Sequence, residues 1–117
     1  MTPHQIINKV PKVLLHDHLD GGLRTETVIA LAAKINYKKL PTTDPNKLSD
    51  WFVEGANKGN LVEFLQGFEH TCAVTQTRES LERVAYEMME DMHNDGVVYV
   101  ETRFAPVLHL DYRDLKS

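Results

Sequence analysis

The chain has 117 residues, of which 42% are hydrophobic and 26% are charged, and these are ordinary proportions for a globular protein. The composition therefore excludes a disordered tail, a collagen-like repeat and a low-complexity linker. The formal net charge is -4 and no basic run is present, so a nucleic acid is not an expected partner. The single cysteine, Cys72, cannot form an internal disulfide.

The N-terminal residues lack the charged segment and apolar core of a signal peptide. No apolar run approaches the roughly 18 residues of a membrane span. We therefore expect a cytoplasmic protein without a membrane partner. The sequence carries no signal for its oligomeric state.

The first predicted element is a strand. A short apolar segment behind a proline, Pro11 to His16, is typical of a buried strand. Gly21 and Gly22 then interrupt the chain, and a helix is expected to begin near Thr25. The apolar residues of this helix recur at the spacing of one helix face: Val28, Leu31, Ala32 and Ile35.

Two further helices are predicted after a turn-rich segment over residues 36–47. The second helix has the apolar residues Leu48, Trp51, Phe52 and Ala56, and it ends at Gly59 and Asn60. The third repeats the one-face spacing with Leu61, Phe64, Leu65 and Phe68.

A long fourth helix and a second strand complete the pattern. The helix is predicted over Arg78 to Asn94, with Thr77 as its N-cap and Gly96 at its end. The β-rich segment from Val97 to Phe104 predicts the strand, whereas the tail over 107–117 carries no clear signal. Two strands joined by helices are normally parallel neighbours. Because parallel sheets are buried on both faces, the pattern predicts the first part of a larger α/β domain.

The residues with the clearest chemical meaning follow the first strand. Alternation along an extended strand places His16, His18 and Asp20 on one face, with successive members roughly 6.5 Å apart. Two imidazoles at this spacing can converge on one zinc ion, although catalytic zinc usually has three protein ligands. The alternative is that both histidines are ordinary polar surface residues.

Longer segments resemble the adenosine deaminase family of metal-dependent amidohydrolases. The first reads Val10-Pro-Lys-Val-Leu-Leu-His-Asp-His-Leu-Asp-Gly-Gly22, and the segment over residues 23–28 is similar to the start of the family's first helix. The Leu-x-x-Phe-Leu-x-x-Phe helix over residues 61–68 and the strand over residues 96–106 also match, in the same order. Together these segments cover almost the whole chain.

The resemblance implies that residues 1–117 are the N-terminal portion of a (β/α)₈ TIM barrel, with the first two strands and the helices between them. It implies that His16 and His18 bind zinc, that Asp20 hydrogen-bonds the ribose, and that His18 also contacts the substrate. The third helix would then supply an apolar lid over the nucleoside. Equally, its four apolar residues, Leu61, Phe64, Leu65 and Phe68, are typical of simple core packing.

The implied reaction is the zinc-dependent hydrolytic deamination of adenosine or 2'-deoxyadenosine in purine salvage. Cytidine-type deaminases use paired cysteines, which a single Cys72 excludes. Leu14 stands where many members of the family have glutamate, and we interpret this as the mark of a subgroup. The third histidine ligand, the catalytic glutamate, a further histidine and the aspartate ligand are expected from later strands, and none has a counterpart before Ser117. No catalytic residue is therefore predicted within this chain.

Two alternatives remain at this point. One is a related deaminase that acts on adenine or another aminopurine, and the other is a catalytically inactive truncated fragment. The remaining histidines, His4, His70, His93 and His109, are assigned structural or surface roles. Glu101 and Arg103 share a face of the second strand and are expected to pair with each other.

Overall fold

The computed structural model describes residues 1–109 and contains, over that range, five α-helices and two β-strands. The helices are α1 (Pro3–Lys9), α2 (Thr25–Lys34), α3 (Pro45–Ala56), α4 (Leu61–Val74) and α5 (Arg78–Asn94), and the strands are β1 (Lys12–His18) and β2 (Val97–Arg103). Each strand is followed by a short 3₁₀ turn. We call these turns the β1 exit turn (Leu19–Gly21) and the β2 exit turn (Pro106–His109).

The two strands form a parallel pair, which confirms the predicted α/β arrangement. Leu14 is paired with Val100 and His18 with Arg103, so both strands end at the same edge of the sheet. β1 continues to His18, two residues beyond the predicted end. This extension keeps His16 and His18 in extended conformation beside β2.

Local capping explains where the helices begin. The Asp44 carboxylate accepts hydrogen bonds from the backbone N–H groups of Asn46 and Lys47, both at 3.0 Å, and α3 therefore begins before its predicted apolar residues. Thr77 caps α5 as predicted. Gly96 follows α5 with a φ of +77°, a left-handed conformation that favours glycine.

The core lies between the helices. Its fully buried residues are Val28, Leu31, Ala32, Leu48, Val74 and Val84. The predicted apolar face of α2 is thus confirmed for three of its four residues. The prediction is wrong for Ile35, because α2 ends at Lys34 and the Ile35 side chain is exposed.

The prediction that β1 is buried is wrong for the described residues. Val13, Leu14 and Leu15 are 54%, 37% and 62% exposed, and Val98 and Tyr99 on β2 are also exposed. The reason is geometric, because the helices pack mainly on one another and on the β1 exit turn. No helix within residues 1–109 is long and apolar enough to cross a membrane.

Ion pairs join α2 to α5 at the surface. The Arg24 guanidinium donates to the carboxylates of Asp91 and Glu90, at 2.6 and 2.7 Å, and Thr27 donates to Glu87. The hydrogen bonds from Arg24 lower the pKa of Asp91. Burial raises the pKa of Glu87, but hydrogen bonds from Thr27 and Arg83 outweigh it, so the net shift is also downward.

We expect the free energy of unfolding to fall less steeply with decreasing pH in Arg24→Gln than in the wild type. A carboxyl group whose pKa is lower in the folded state stabilises the fold above its unfolded pKa, and this contribution disappears as the pH falls through the folded pKa. For Asp91 and Glu87 the loss begins near their ordinary values of 3.8 and 4.5. Urea midpoints measured between about pH 6 and about pH 2 should therefore fall less steeply in Arg24→Gln. The control is Arg78→Gln on the exposed side of α5, and an unchanged slope in Arg24→Gln would contradict the prediction.

Candidate metal and substrate site

His16 and His18 lie side by side at the C-terminal end of β1. Their Nε2 atoms are 3.1 Å apart and their ring centroids are 5.1 Å apart. Two nitrogens bound to one tetrahedral zinc at about 2.05 Å are themselves about 3.3 Å apart. Both side chains are exposed, so an ion and a substrate can reach them. The two imidazoles therefore fit a shared metal ion.

Asp20 lies close to His18, but not for the reason that strand alternation suggested. β1 ends at His18, and Asp20 belongs to the β1 exit turn rather than to the strand face. Its side chain is 2% exposed, and Oδ1 lies 3.9 Å from His18 Nδ1. Oδ2 accepts a hydrogen bond of 3.1 Å from the backbone N–H of Ala105. The turn thus places a buried carboxylate beside the paired imidazoles.

Phe68 on α4 covers this corner of the site. Its ring meets the His18 ring edge-on at a centroid distance of 6.2 Å. A Cβ atom added to Gly21 would lie 2.7 Å from the Phe68 ring, so this position in the turn admits only glycine while the ring stays where it is. Phe68 consequently fixes one side of His18 and closes over the β1 exit turn.

Much of the apolar face of α4 is not covered by the described residues. Leu61, Phe64 and Leu65 are 69%, 43% and 48% exposed, so core packing in the described residues does not account for them. Phe64 contacts Phe68 at a centroid distance of 6.2 Å. Beside these rings is a cavity of about 290 Å³, whose lining includes Gly21, Leu23, Trp51, Phe52, Phe64 and Phe68. The assignment of these α4 residues to a lid stays a prediction.

A second group of potential ligands lies deeper, where atoms of Asp20, Cys72 and His109 are within 4.8 Å of one another. Burial, and then the charge of Asp20, raise the pKa of the Cys72 thiol to about 11. Without a bound ion the thiol is therefore protonated at neutral pH, and a metal ion would have to displace its proton. His109 is fully buried and Asp20 is nearly so. The exposed pair His16 and His18 consequently fits a zinc ion better than this enclosed group.

The surface alternative for His109 is wrong, because the β2 exit turn carries its ring into the interior beside Asp20. The sequence has no local signal for this contact, since the two residues are far apart along the chain. His70 is also buried, with Nδ1 2.9 Å from the Tyr37 hydroxyl, and burial lowers its pKa. His4 and His93 are exposed, in agreement with a surface role.

The expected pair between Glu101 and Arg103 does not form. Glu101 accepts a hydrogen bond of 2.7 Å from the Tyr99 hydroxyl. Arg103 instead donates to the backbone carbonyl of Leu15, at 3.2 Å. Glu101 therefore has its partner on its own strand, whereas Arg103 ties β2 directly to β1.

Known proteins with similar sequence and structure agree on one family. The adenosine deaminase family model matches residues 11–117. The adenosine deaminases of Mycobacterium leprae and Mycobacterium ulcerans are each 53% identical over 105 residues, which is 90% of this chain and 29% of theirs. The chain thus spans less than a third of the length of these relatives.

Solved structures give the same result for the fold. An Arabidopsis N6-mAMP deaminase is 27% identical with a TM-score of 0.67, and the ADAL–IMP complex is 29% identical with a TM-score of 0.64. Each match covers 87% of this chain and 29% of the other. The parallel strand pair with its helices therefore corresponds to part of a TIM barrel. The chain belongs to the adenosine deaminase family.

Proposed function

We propose that the protein containing these residues is a zinc-dependent hydrolase. It would convert adenosine or 2'-deoxyadenosine to inosine or 2'-deoxyinosine and release ammonia, as part of purine nucleoside salvage in the cytoplasm. The observation that carries the proposal is the convergence of His16 Nε2 and His18 Nε2, 3.1 Å apart, beside the buried carboxylate of Asp20. The adenosine deaminases that are 53% identical over 105 residues support it.

Each residue has a distinct part in this proposal. His16 and His18 would hold the zinc ion, which when bound supplies an activated water at neutral pH. Asp20 would accept a hydrogen bond from the sugar, and His18 would border the same substrate. Phe68 packs against His18 and would help to exclude bulk water. The described residues provide two imidazoles, and the remaining ligands would come from other strands of the barrel.

A related deaminase that acts on adenine or on a modified adenosine is the second candidate. The observation in its favour is that two of the structural neighbours are Arabidopsis N6-methyl-AMP deaminases, at 27% and 30% identity. Asp20 argues for a nucleoside instead, because its buried carboxylate suits a neutral hydroxyl and repels a phosphate. Like charges brought together at a binding site cost several kcal/mol.

The test is a substrate panel on the zinc-loaded complete protein, with ammonia release as the readout. Adenosine and 2'-deoxyadenosine should exceed AMP and N6-methyl-AMP in kcat/KM by at least about tenfold, given the cost of a phosphate near Asp20. A higher value for adenine or for either nucleotide would transfer the assignment to the second candidate. The isolated 117-residue chain serves as the reference for the inactive-fragment alternative, which predicts no turnover above a zinc-free blank.

A further inference from the structure

We propose that His109 is a positioning residue that holds the Asp20 carboxylate in the orientation in which it receives the substrate. This inference rests on the proposed function, because it gives Asp20 a place in substrate binding. His109 itself would not touch the substrate. It would act through Asp20, from the β2 exit turn, on the opposite side of the carboxylate from His18.

The two oxygens of the Asp20 carboxylate have different surroundings. Oδ2 faces the protein, accepting from the Ala105 N–H at 3.1 Å and lying 3.6 Å from His109 Nε2. Oδ1 is buried and has no hydrogen-bond partner among the described residues, and it is the oxygen nearer to His18. One oxygen is therefore anchored, and the other is left to accept a hydrogen bond from a ligand.

The His109 ring is itself fixed by the end of α4. Nδ1 lies 2.8 Å from the Thr75 carbonyl oxygen and 3.2 Å from the Thr75 hydroxyl. The carbonyl can only accept, and the hydroxyl donates its own proton to the Thr71 carbonyl at 2.8 Å. Nδ1 is therefore the donor in this contact, and the opposite ring atom, Nε2, is directed toward Asp20.

The His109 ring is enclosed, and its Nε2 atom faces the Asp20 carboxylate. His109 is fully buried, and the Phe104 ring packs beside it at a centroid distance of 5.7 Å. Within residues 1–109, Nε2 has no hydrogen-bond partner, and its closest charged neighbour is the Asp20 carboxylate. The ring faces Oδ2 across 3.6 Å and fills the space on that side of the carboxylate. Without that ring, the carboxylate would be held on this side by the Ala105 N–H alone.

The test is a double-mutant cycle in the complete zinc-loaded protein, with Asp20→Asn, His109→Leu and the double variant. His109→Leu should raise KM for adenosine about tenfold with kcat changed less than threefold, because the Asp20 carboxylate loses the ring that fixes its orientation. In the Asp20→Asn background the same substitution should change KM less than twofold. His109→Gln keeps a polar amide near the position of Nε2 and should recover most of the wild-type KM.

The matched control is His70→Leu, which removes the other buried histidine, in contact with Tyr37 and Trp51 rather than Asp20. It should lower Tm and leave KM within twofold of the wild type. If His109→Leu raises KM equally in both backgrounds, or if His109→Gln gives no recovery, the positioning role is wrong and the residue is structural only.

A second measurement is independent of catalysis and separates this inference from the proposed function. In ¹⁵N-histidine NMR spectra of the protein, the His109 Nε2 resonance should shift in Asp20→Asn, because the carboxylate oxygen that lies 3.6 Å from it is changed. The His70 ring should not respond to that substitution. An unchanged His109 Nε2 resonance in Asp20→Asn would overturn the contact, whatever the activity. A wild-type protein that deaminates no purine, but shows the expected spectra, would instead refute the proposed function and leave the Asp20–His109 contact established.

Discussion

Replacing His16 or His18 by Ala is expected to remove bound zinc and deaminase activity together in the complete protein. The Nε2 atoms of both residues converge at 3.1 Å, so either substitution leaves half of the pair that β1 provides. Loss of metal-derived stabilisation of the transition state is worth several kcal/mol, or about 1,000-fold in kcat/KM. Metal content by atomic absorption and ammonia release measure the two effects on the same samples.

His4→Ala and His93→Ala are the controls for this experiment, because both side chains are exposed on helices away from the strand end. They should keep the zinc content and the activity within twofold of the wild type. Full zinc occupancy and full activity in either His16→Ala or His18→Ala would show that the strand-end imidazoles are not the metal ligands. Loss of zinc from the control variants as well would indicate general unfolding instead.

The substitution Gly21→Ala is expected to disturb the site through its packing. The new Cβ would lie 2.7 Å from the Phe68 ring, which packs edge-on against His18. The ring, the turn or both must move, and overpacking of this kind costs about 1–3 kcal/mol of stability. A displacement of about 1 Å at a reacting centre can lower activity on the order of 100-fold. We therefore expect a lower Tm, measured by calorimetry, and a large loss of kcat/KM.

Gly22→Ala is the matched control, one residue further along the chain. Its added Cβ has only an ordinary contact of 3.5 Å, with the His18 carbonyl oxygen, and its φ of -107° is accessible to alanine. This variant should retain at least half of the activity. Equal losses in the two variants would argue against the Phe68 contact, whereas Phe68→Leu combined with Gly21→Ala should recover part of the lost stability.

Most helices of the fold could be predicted, because their signals are local. The spacing of apolar residues and the Thr77 cap predicted α5 with its observed bounds, Arg78–Asn94. α3 begins at Pro45, before its predicted apolar residues, and Asp44 followed by Pro45 is itself a helix-start signal. The exposure of β1 could not be read from its apolar sequence. Burial depends on which elements cover a strand, and the helices of the described residues pack elsewhere.

In the candidate site, too, local spacing predicts some residues, whereas the positions of others depend on tertiary packing. The proximity of His16 and His18 follows from the two-residue period of a strand, and the structure brings their rings together. The position of Asp20 does not follow from that period, because the chain leaves the strand at His18 and turns. The contact of Asp20 with His109 depends on the packing of the two exit turns, which no short motif encodes. Sequence reasoning therefore found the candidate metal pair but not the residue that orients the neighbouring carboxylate.

The parallel pairing of β1 with β2 also has a consequence for the order of folding. Asp17 and Thr102 hydrogen-bond to each other although they are 85 residues apart. Contacts of such high sequence separation form slowly, since the entropy of closing a long loop is lost before the strands gain their interactions. The helices of the crossover rely on local contacts and can form first. The β2 exit turn would then reach the β1 exit turn and the strand-end histidines only when the two strands pair, in the last step of folding. A slow-folding variant would therefore acquire helical structure well before it acquires a binding site.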